Sequence, residues 1–514
     1  MERQIYPIVL CGGMGSRLWP MSRMEQPKQF QPVGGAGSST FFQTTLQRHR
    51  GRGFEPPVVV TSARHGAIVD RQMRELQSPG IVLSEPMGRN TGPAVLAAAM
   101  TLLDSDPEAM MLVLPSDHVI KGDLNTIISG MRKAADDGLI VTFGVVPHYP
   151  ETGYGYIVDG GGFRSYPGLH RVSQFIEKPA YDVAKQLLTT GFSYWASGIS
   201  LFRADTIIEE YTRYDPGTVA AVRAALHEGS RKEVNGSGRE HVMLEEHNFG
   251  AAMNEPTERA VFERSGAIAL APLPGIEWDD VGAWNAVHQI SERTSDGNAV
   301  SGDVIALDTK NSLVRADSRL VTVVGMRDVV VVETADAVLV TSREHAQDVK
   351  KLVERMKAEK RPQVTSHLTR DTSWGQVETL SRASGCDMRL LSVAPGAAVR
   401  IGGIGVGPSF VTVVAGEGEC EVGGQTVRIT RGKCLPIDAD VVLAISNPSG
   451  TDLRLVQMLF ADQQGGMDEH LQVGASLHAL PTANRKPVEP AADHGLQDHG
   501  RVDVDVDQRE HERA

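Results

Sequence analysis

Residues 11–28 read CGGMGSRLWPMSRMEQPK and follow directly on the apolar run 5–10. Glycines let a backbone turn sharply and approach a ligand closely. Successive peptide N–H groups in such a loop form a concavity that binds anions. Arg17 and Lys28 add positive charge of the kind that pairs with phosphate. The stretch therefore predicts a strand followed by a loop that binds the polyphosphate of a nucleotide.

Two familiar phosphate-binding loops do not fit this stretch. The P-loop requires Gly-Lys-Ser/Thr after four intervening residues, and no Gly-Lys pair follows Gly12 or Gly13. The dinucleotide fingerprint Gly-x-Gly-x-x-Gly is also missing, because no glycine follows Gly15 at the required spacing. An ordinary strand-to-helix turn would explain one or two glycines, but it would not explain the two cations at this spacing.

Length and composition restrict the class of protein. A chain of 514 residues predicts two or three domains. No segment approaches the roughly 18 continuous apolar residues of a membrane span, and residues 1–4 lead into a strand without room for a signal peptide. The four scattered cysteines favour free thiols. The net charge of −13 argues against a general nucleic-acid surface. We expect a cytoplasmic protein that binds neither membranes nor nucleic acids.

The first 145 residues alternate apolar strand-like runs with helical stretches. This alternation predicts a parallel sheet with helices on both faces, and ligands of such sheets bind at the carboxyl ends of the strands. The glycine loop, Asp117 and the segment 85–89 each follow a strand-like run. We therefore expect them to converge on one edge of the sheet.

The rest of the chain is richer in β-strand patterns. Short β pieces over 300–342 suggest a small stacked β unit, and 346–360 reads as a charged amphipathic helix and linker. Residues 374–460 carry strand patterns with glycine turns, which is typical of a small barrel or jelly roll. From about residue 463 the apolar periodicity is lost, which predicts a disordered tail.

The glycine loop resembles the signature of the sugar-nucleotide pyrophosphorylases, Gly-Gly-x-Gly-Ser/Thr-Arg-Leu-x-Pro followed by Pro-Lys. Its Leu18-Trp19-Pro20 form is most similar to the mannose-1-phosphate guanylyltransferases. The resemblance covers about residues 5–460. Further matching motifs follow in the family's order: Glu85-Pro86, Arg89-Asn90-Thr91-Gly92, Leu114-Pro115-Ser116-Asp117, Thr152-Gly153-Tyr154-Gly155, Phe175-Ile176-Glu177-Lys178-Pro179, Ser197-Gly198 and Trp278-Asp279-Asp280-Val281-Gly282.

The resemblance implies an α/β fold in several parts. It predicts a Rossmann-like nucleotidyltransferase (GT-A-like) domain, a small β unit and a C-terminal cupin-like β-barrel. The expected divisions are 1–295 for the nucleotidyltransferase domain, 296–362 for the β unit and linker helix, 363–462 for the barrel and 463–514 for the tail.

The resemblance also implies an activity, namely attack of mannose 1-phosphate on the α-phosphate of GTP to give GDP-mannose and diphosphate. The nucleophile is already an anion, so catalysis depends on alignment and on neutralising phosphate charge. On this basis Arg17 and Lys28 are predicted to be catalytic. The residues expected to bind the nucleotide are Cys11, Gly12, Gly13, Gly15, Ser16, Glu85, Arg89 and Asn90. Those expected to bind the sugar phosphate are Gly153, Glu177, Lys178 and Ser197.

A divalent cation, Mg²⁺ or Mn²⁺, is expected at the carboxylates that match the family's metal ligands, Asp117 and Asp280. No metal is expected in the C-terminal barrel. Bifunctional relatives isomerise mannose 6-phosphate there with a Gln-x-His-x-His run, whereas residues 401–410 contain no Gln, His or Glu. The later histidine position falls at about Val441. The segment therefore lacks the imidazole, carboxylate or thiolate donors that a divalent transition metal needs. We predict that the barrel is catalytically inactive.

Two alternatives are weighed: three departures from the family pattern favour the first, whereas the empty 401–410 segment argues against the second. Ala196 stands where the family has asparagine, Glu258 where it has aspartate, and Pro256 where it has serine. A pyrophosphorylase for another sugar 1-phosphate is one alternative, and a bifunctional isomerase is the other. A homo-oligomer is possible in either case.

Overall fold

The computed structural model describes residues 4–460 except residues 14, 33, 36, 235–237, 384, 403–406 and 423–424. The predicted tail, 463–514, lies outside the described residues, as does part of the 401–410 run.

Strands and helices alternate over the first 290 residues. The strands of this part are β1 (Ile5–Cys11), β2 (Val58–Ser62), β3 (Gly80–Glu85), β4 (Met110–Pro115), β5 (Val119–Lys121), β6 (Ile140–Val145), β7 (Tyr156–Gly162), β8 (His170–Ile176), β9 (Ser193–Arg203), β10 (Ser230–Val234), β11 (Arg239–Met243), β12 (Ile268–Pro272) and β13 (Glu277–Asp279). The helices are α1 (Phe41–Arg48), α2 (Gly66–Glu75), α3 (Thr91–Leu103), α4 (Leu124–Asp136), α5 (Tyr181–Thr190), α6 (Ala204–Tyr214), α7 (Pro216–His227), α8 (Glu246–Gly250) and α9 (Trp284–Ile290).

Eleven of these strands form one sheet in the order β10-β11-β3-β2-β1-β4-β9-β6-β12-β8-β7. Strand β1 lies inside it, parallel to β2 and β4. Both of its faces are buried: Ile8 packs under one helical layer and Val9 under the other. This explains why the strand reads as a continuous apolar run rather than an alternating one.

The sheet is mixed, which corrects the expectation of a parallel sheet. Strand β9 runs antiparallel between β4 and β6 and separates two parallel groups. An inserted antiparallel strand is common in large α/β sheets. The parallel group β3-β2-β1-β4 still brings its carboxyl ends to one edge, because Leu10 pairs with Pro115 and Ser62 with Glu85.

A stacked β unit and a helix follow the large sheet: β14 (Ala299–Ser301), β15 (Val304–Leu307), β16 (Leu313–Ala316), β17 (Val321–Val324), β18 (Val329–Thr334), β19 (Ala337–Ser342) and α10 (Val349–Ala358). Parallel pairing joins β14 to β16, β16 to β18, and β15 to β17. The stacked arrangement agrees with the expectation from the spacing of the short apolar pieces.

The last strands form two antiparallel sheets, which confirms the expected barrel-like part: β20 (Thr369–Thr372), β21 (Gly375–Ala383), β22 (Cys386–Val393), β23 (Ala398–Gly402), β24 (Ser409–Ala415), β25 (Glu417–Val422), β26 (Gln425–Thr430), β27 (Cys434–Ile437), β28 (Val442–Ser446) and β29 (Leu453–Phe460). One sheet has the order β20-β21-β22-β29-β24-β27 and the other β23-β28-β25-β26. Their inner faces share one apolar core, with Val411 and Leu455 from the first sheet and Ile429 and Ile445 from the second.

The segment after the glycine loop is clamped by the later parts of the chain. Leu18 and Trp19 pack in the same core as Val330 and Val353, and the Trp19 indole N–H donates to the Gln363 carbonyl at 3.0 Å. The fully buried Arg23 guanidinium forms an ion pair with Asp336 at 2.5 Å. The Leu-Trp-Pro part of the signature is thus explained by packing rather than by chemistry.

Candidate active site

The glycine loop leaves β1 at the carboxyl edge of the sheet. Gly13 and Gly15 have φ values of 84° and 56°, in the left-handed region that glycine adopts without strain. A Cβ atom on Gly15 would lie 2.6 Å from the Cβ of Lys28, so this close approach also requires glycine. At Gly12 and Gly13 an added Cβ would meet nothing within 4 Å, which means that this side of the loop is open.

Gln29 holds the loop from the protein side, a role that sequence reasoning missed. Its amide nitrogen donates to the Cys11 carbonyl at 3.2 Å and more weakly to those of Gly12 and Gly13, both at 3.5 Å. Because the carbonyls face Gln29, the peptide N–H groups are the polar groups that the loop can offer to a ligand. This is the arrangement that anion binding requires.

Lys28 contacts the carboxylate of one predicted metal ligand, Asp117, and the backbone carbonyl of the other, Asp280. Its buried Nζ lies 2.8 Å from Asp117 Oδ2 and donates to the backbone carbonyl of Asp280. Burial would raise the pKa of Asp117, but the charges of Lys28 and His118 outweigh it and lower that pKa. Asp117 is therefore held ionised beside a cation, in a place suited to balancing phosphate charge.

Strand pairing explains why Asp117 and Asp280 converge. Strand β13 pairs antiparallel with β5, and Asp279 lies opposite Val119. The two neighbouring aspartates have different surroundings. The carboxylate of Asp279 accepts the Val281 N–H at 2.6 Å within a turn. That turn places Val281 at φ 49° and leaves the neighbouring carboxylate of Asp280 outside it.

Tyr154 is a second site residue to which sequence reasoning assigned no role. Burial, together with the charge of the nearby Asp280 carboxylate, raises the pKa of Tyr154. Its ring packs edge-on against Trp195 and Trp278, at centroid distances of 5.4 and 5.2 Å. The Trp278 indole in turn donates to His118 Nδ1 at 3.2 Å, which puts the proton of a neutral His118 on Nε2. Tyr154 and Trp278 stand in motifs that match the family, and this was the sequence signal that could have identified them.

Arg17 lies beside the same carboxylate. A Cβ atom on Gly282 would be 3.1 Å from Asp280 Oδ1 and 3.5 Å from Arg17 Nη1, so the two groups flank the same position and are neighbours. Arg17 lies at the mouth of the glycine loop, within reach of solvent. Arg17, Lys28, Asp117 and Asp280 therefore form one cluster, which we call the phosphate cluster.

Glu85, Arg89 and Asn90 form a second group at the end of β3. Burial raises the pKa of Glu85 to about 8, and its Oε1 is buried without a hydrogen-bond partner among the described residues. Arg89 donates to the Gly250 carbonyl, while its Nε is also buried and unpartnered in the described structure. Asn90 has φ 65° and caps α3 by accepting the Thr91 N–H. The unsatisfied polar atoms suit a ligand with several hydrogen-bonding groups.

Glu177 and Lys178 form a third group, with Lys178 Nζ 2.9 Å from Glu177 Oε1. A Cβ on Gly155 would lie 2.8 Å from Glu177 Oε2, so this glycine makes room for the carboxylate. Burial and the charge of Glu177 raise the pKa of Glu258 to about 7. Thr91 Oγ1 lies 3.5 Å from Glu258 Oε2 and so links this group to the second one.

The remaining predicted residues are placed differently. The Ser197 hydroxyl is fully buried and donates to the Phe143 carbonyl at 2.7 Å, so it supports β9 from inside. The Cys11 thiol is buried as well, which raises its pKa. Gly153 is exposed and donates its N–H to Glu151 Oε1 at 2.8 Å, and Ser16 begins a short 3-10 turn.

The donor atoms near Lys28 fit a hard divalent cation. Mg²⁺ prefers a few carboxylate oxygens and completes its shell with water and substrate phosphate. Asp117 and Asp280 supply such oxygens. Within the described ranges no group of three or more His, Cys, Asp or Glu side chains forms a closed metal site. No helix in the described part of the chain is long and apolar enough to cross a membrane.

Known proteins resemble this chain along most of its length. Residues 6–297 match the nucleotidyl transferase family, and 302–356 match the MannoseP isomerase/GMP-like beta-helix domain family. Mannose-1-phosphate guanylyltransferase ManC of Salmonella typhimurium is 36% identical over 468 residues, covering 89% of this chain and 95% of ManC. Xanthan biosynthesis protein XanB of Xanthomonas campestris is 35% identical over 457 residues, covering 88% and 95%.

A solved structure matches as well. The Thermus thermophilus protein named mannose-1-phosphate geranyltransferase is 29% identical and aligns with a TM-score of 0.59. The match covers 69% of this chain and 100% of that protein.

Proposed function

Because the chain belongs to the mannose-1-phosphate guanylyltransferase family of nucleotidyltransferases, we propose that it converts GTP and α-D-mannose 1-phosphate into GDP-mannose and diphosphate. The observation that carries the proposal is the phosphate cluster, in which the glycine loop, two cations and two carboxylates meet at one sheet edge.

The proposed chemistry is a direct displacement at phosphorus. A phosphate oxygen of mannose 1-phosphate forms a bond to the α-phosphorus of GTP, and the bond from that phosphorus to the α–β bridging oxygen breaks. Diphosphate leaves with the electron pair. No general base is needed, since the nucleophile is already ionised, so the protein contributes alignment and charge neutralisation.

Each member of the phosphate cluster has a part in that scheme. The N–H groups around Gly12 and Gly13 and the guanidinium of Arg17 hold the triphosphate. Lys28, fixed by Asp117 and the Asp280 carbonyl, presents its charge near the α-phosphate. Asp117 and Asp280 hold Mg²⁺, or Mn²⁺ in its place. When bound, this ion neutralises charge on the phosphates and the leaving group. Tyr154 lies beside the Asp280 carboxylate.

The second and third groups are proposed to select the two substrates. Glu85 and Arg89, with Asn90 shaping the turn, face the guanine or ribose. Lys178 and Glu177 face the phosphate and hydroxyls of the sugar, and Gly153 allows the chain to approach it. Glu258, beside Glu177, adds a half-buried carboxyl that can accept or donate a hydrogen bond near neutral pH. Ser197 and Cys11 are proposed to support the site through packing rather than through contact with a substrate, because their side chains are buried.

Measuring diphosphate release with four nucleoside triphosphates and several sugar 1-phosphates tests the proposal. The expected preference is GTP with mannose 1-phosphate. A higher kcat/KM with another sugar would identify a different pyrophosphorylase. The observation favouring that second candidate is Ala196, whose Cβ lies 3.3 Å from the Cβ position of Gly155 and carries no amide. Release with none of the pairs would contradict the proposed reaction itself.

Glu85 is predicted to contribute to the choice of base. Guanine presents N–H donors that adenine lacks on the same edge, and the buried, unpartnered Oε1 of Glu85 can accept from them. The N–H donors of guanine favour the ionised form of Glu85, so bound GTP should lower the raised pKa of this carboxyl. We expect Glu85→Gln, which removes that charge-assisted hydrogen bond, to lower kcat/KM for GTP by about 10–100-fold. The same charge change at Glu292→Gln, outside the site, should have no effect. An unchanged GTP-to-ATP preference in Glu85→Gln would contradict this role.

We also propose the predicted division into 1–295, 296–362 and 363–462 as functional domains, because the sheets of the fold change within these limits. The barrel is proposed to serve structure rather than isomerisation, since 401–410 contains no Gln, His or Glu.

The barrel proposal has a direct test. We expect no conversion of mannose 6-phosphate to fructose 6-phosphate above background by the full chain, with or without added Zn²⁺, Mn²⁺ or Co²⁺. A metal-dependent rate that disappears with EDTA would overturn the proposal and support a bifunctional enzyme.

A further inference from the structure

A polar cavity of about 630 Å³ lies apart from the phosphate cluster. Its walls come from α1 and α2, from the loop before α1, from β16 and β18 of the stacked unit, and from the linker at His367. We call it the junction cavity. None of the residues assigned above to nucleotide or sugar lines it.

Arg315 is the residue in this wall whose charge is least satisfied. It is only 6% exposed, and burial lowers its pKa, with Asp317 partly opposing that effect. Among the described residues it makes one hydrogen bond, to the Pro32 carbonyl at 3.3 Å. A guanidinium has five N–H donors and stays protonated in proteins. A buried cation with so few acceptors is unfavourable unless a ligand supplies them.

Two of the three carboxylates around the cavity are occupied by other groups, and the third, Asp317, acts on Arg315 through its charge without forming an ion pair among the described residues. Glu333 accepts from Ser318 and Arg319 and from three backbone N–H groups. Glu75 is paired with Arg71 at 2.6 Å and with Gln43 at 2.7 Å. No ion pair joins Arg315 to a carboxylate within the described ranges. The cavity thus contains a buried guanidinium with one hydrogen bond and no direct ion pair in the described part of the chain.

We propose that the junction cavity binds a small oxyanion, a phosphate ester or a carboxylate, through the guanidinium of Arg315. Planar bidentate pairing with an oxyanion is the interaction that guanidinium makes best. The volume exceeds what one water requires and falls in the range of small-molecule sites.

The junction cavity shares a short segment of chain with the active site, so a ligand bound in the cavity can affect the active site. The segment 26–31 separates the two. Gln26, Phe30 and Gln31 line the cavity, whereas Gln29 holds the glycine loop and Lys28 contacts the Asp117 carboxylate. An occupant would contact the same short segment that positions Lys28. We therefore infer a regulatory site rather than a second substrate site.

Calorimetry with the full chain tests the binding step, with inorganic phosphate and malonate as separate probes for the two oxyanion classes. All proteins carry Arg17→Ala, so that any phosphate held by the glycine loop is weakened equally. We expect Arg315→Gln to reduce affinity for at least one probe by about tenfold or more. Arg327→Gln, the same change at an exposed position of the same β unit, should leave it unchanged.

A second variant covers the case in which Arg315→Gln does not fold. Ser39 is an exposed residue of the cavity wall, and Ser39→Asp adds a repelling charge without burying it. It should weaken the same probe, again by about tenfold. Absence of binding of both probes at millimolar concentration, or equal affinities in all variants, would overturn the proposal. These readouts do not depend on turnover, so they stand even if the proposed reaction is wrong.

The regulatory step is tested by turnover of the protein that retains Arg17. The probe that binds should change the rate of diphosphate release, and Arg315→Gln should abolish that change. A change of equal size in Arg315→Gln would mean action at the active site and would overturn the inferred regulation.

Discussion

We expect Asp280→Asn to lower the rate of diphosphate release by about 10³-fold or more while the protein stays folded. Asn keeps the shape of the side chain but removes a charge proposed to hold the divalent ion, and such an ion supplies several kcal/mol of transition-state stabilisation. Because Asn has nearly the same volume as Asp, the local packing beside Tyr154 should be preserved. Steady-state rates across a Mg²⁺ titration, with circular dichroism as the folding check, measure the effect.

The neighbouring residue supplies the matched control for this prediction. Asp279→Asn makes the same charge change one position earlier, and the new side-chain oxygen can still accept the Val281 N–H. We expect its rate to stay within about tenfold of wild type. If Asp280→Asn retained turnover at that level too, the proposed metal role would be wrong.

The second large effect is expected for Arg17→Ala, which should slow turnover by about 10²–10³-fold. This is the usual result of removing one preorganised group that stabilises developing phosphate charge. Arg17 lies outside the buried core, so its removal leaves no core cavity and stability should be nearly unchanged. The measurement is kcat/KM for GTP, together with the thermal unfolding midpoint.

Arg64→Ala is the control for Arg17, because it removes an exposed guanidinium from the same lobe. It should leave kcat/KM unchanged, which separates a local role from a general loss of positive charge. An unaltered rate in Arg17→Ala would mean that the triphosphate binds away from the glycine loop, and the proposed mechanism would need a different phosphate site.

Much of the site was predictable because its signals are local in sequence. Glycines followed by cations predict an anion-binding loop. The continuous apolar run of β1 predicts a buried strand, and both of its faces are covered. The predicted meeting of the glycine loop with Asp117 is confirmed by the contact between Lys28 and that carboxylate. The assigned roles of these residues stay predictions until the substitutions are measured.

Other parts could not be predicted from one sequence, because they depend on contacts between distant segments. Gln29 has no motif that marks it as the support of the loop, and Tyr154 lies 126 residues from Asp280, whose charge acts on it. Ser197 stands in a matching motif, yet its hydroxyl faces the interior. Strand β9 entered the sheet antiparallel, an outcome that alternation of strands and helices does not encode.

The sequence by itself determined the chemistry of the amino-terminal lobe, since residue type and close spacing are enough to specify an anion-binding loop with two cations. It also determined that 401–410 contains no Gln, His or Glu, because a donor that is missing from the chain cannot be supplied by folding. Only the tertiary structure decided that Lys28 pairs with the Asp117 carboxylate and the Asp280 carbonyl, which groups remain buried without partners, and that Arg315 borders a cavity. Those properties arise from burial and from strand pairing across hundreds of residues, and no local pattern carries them.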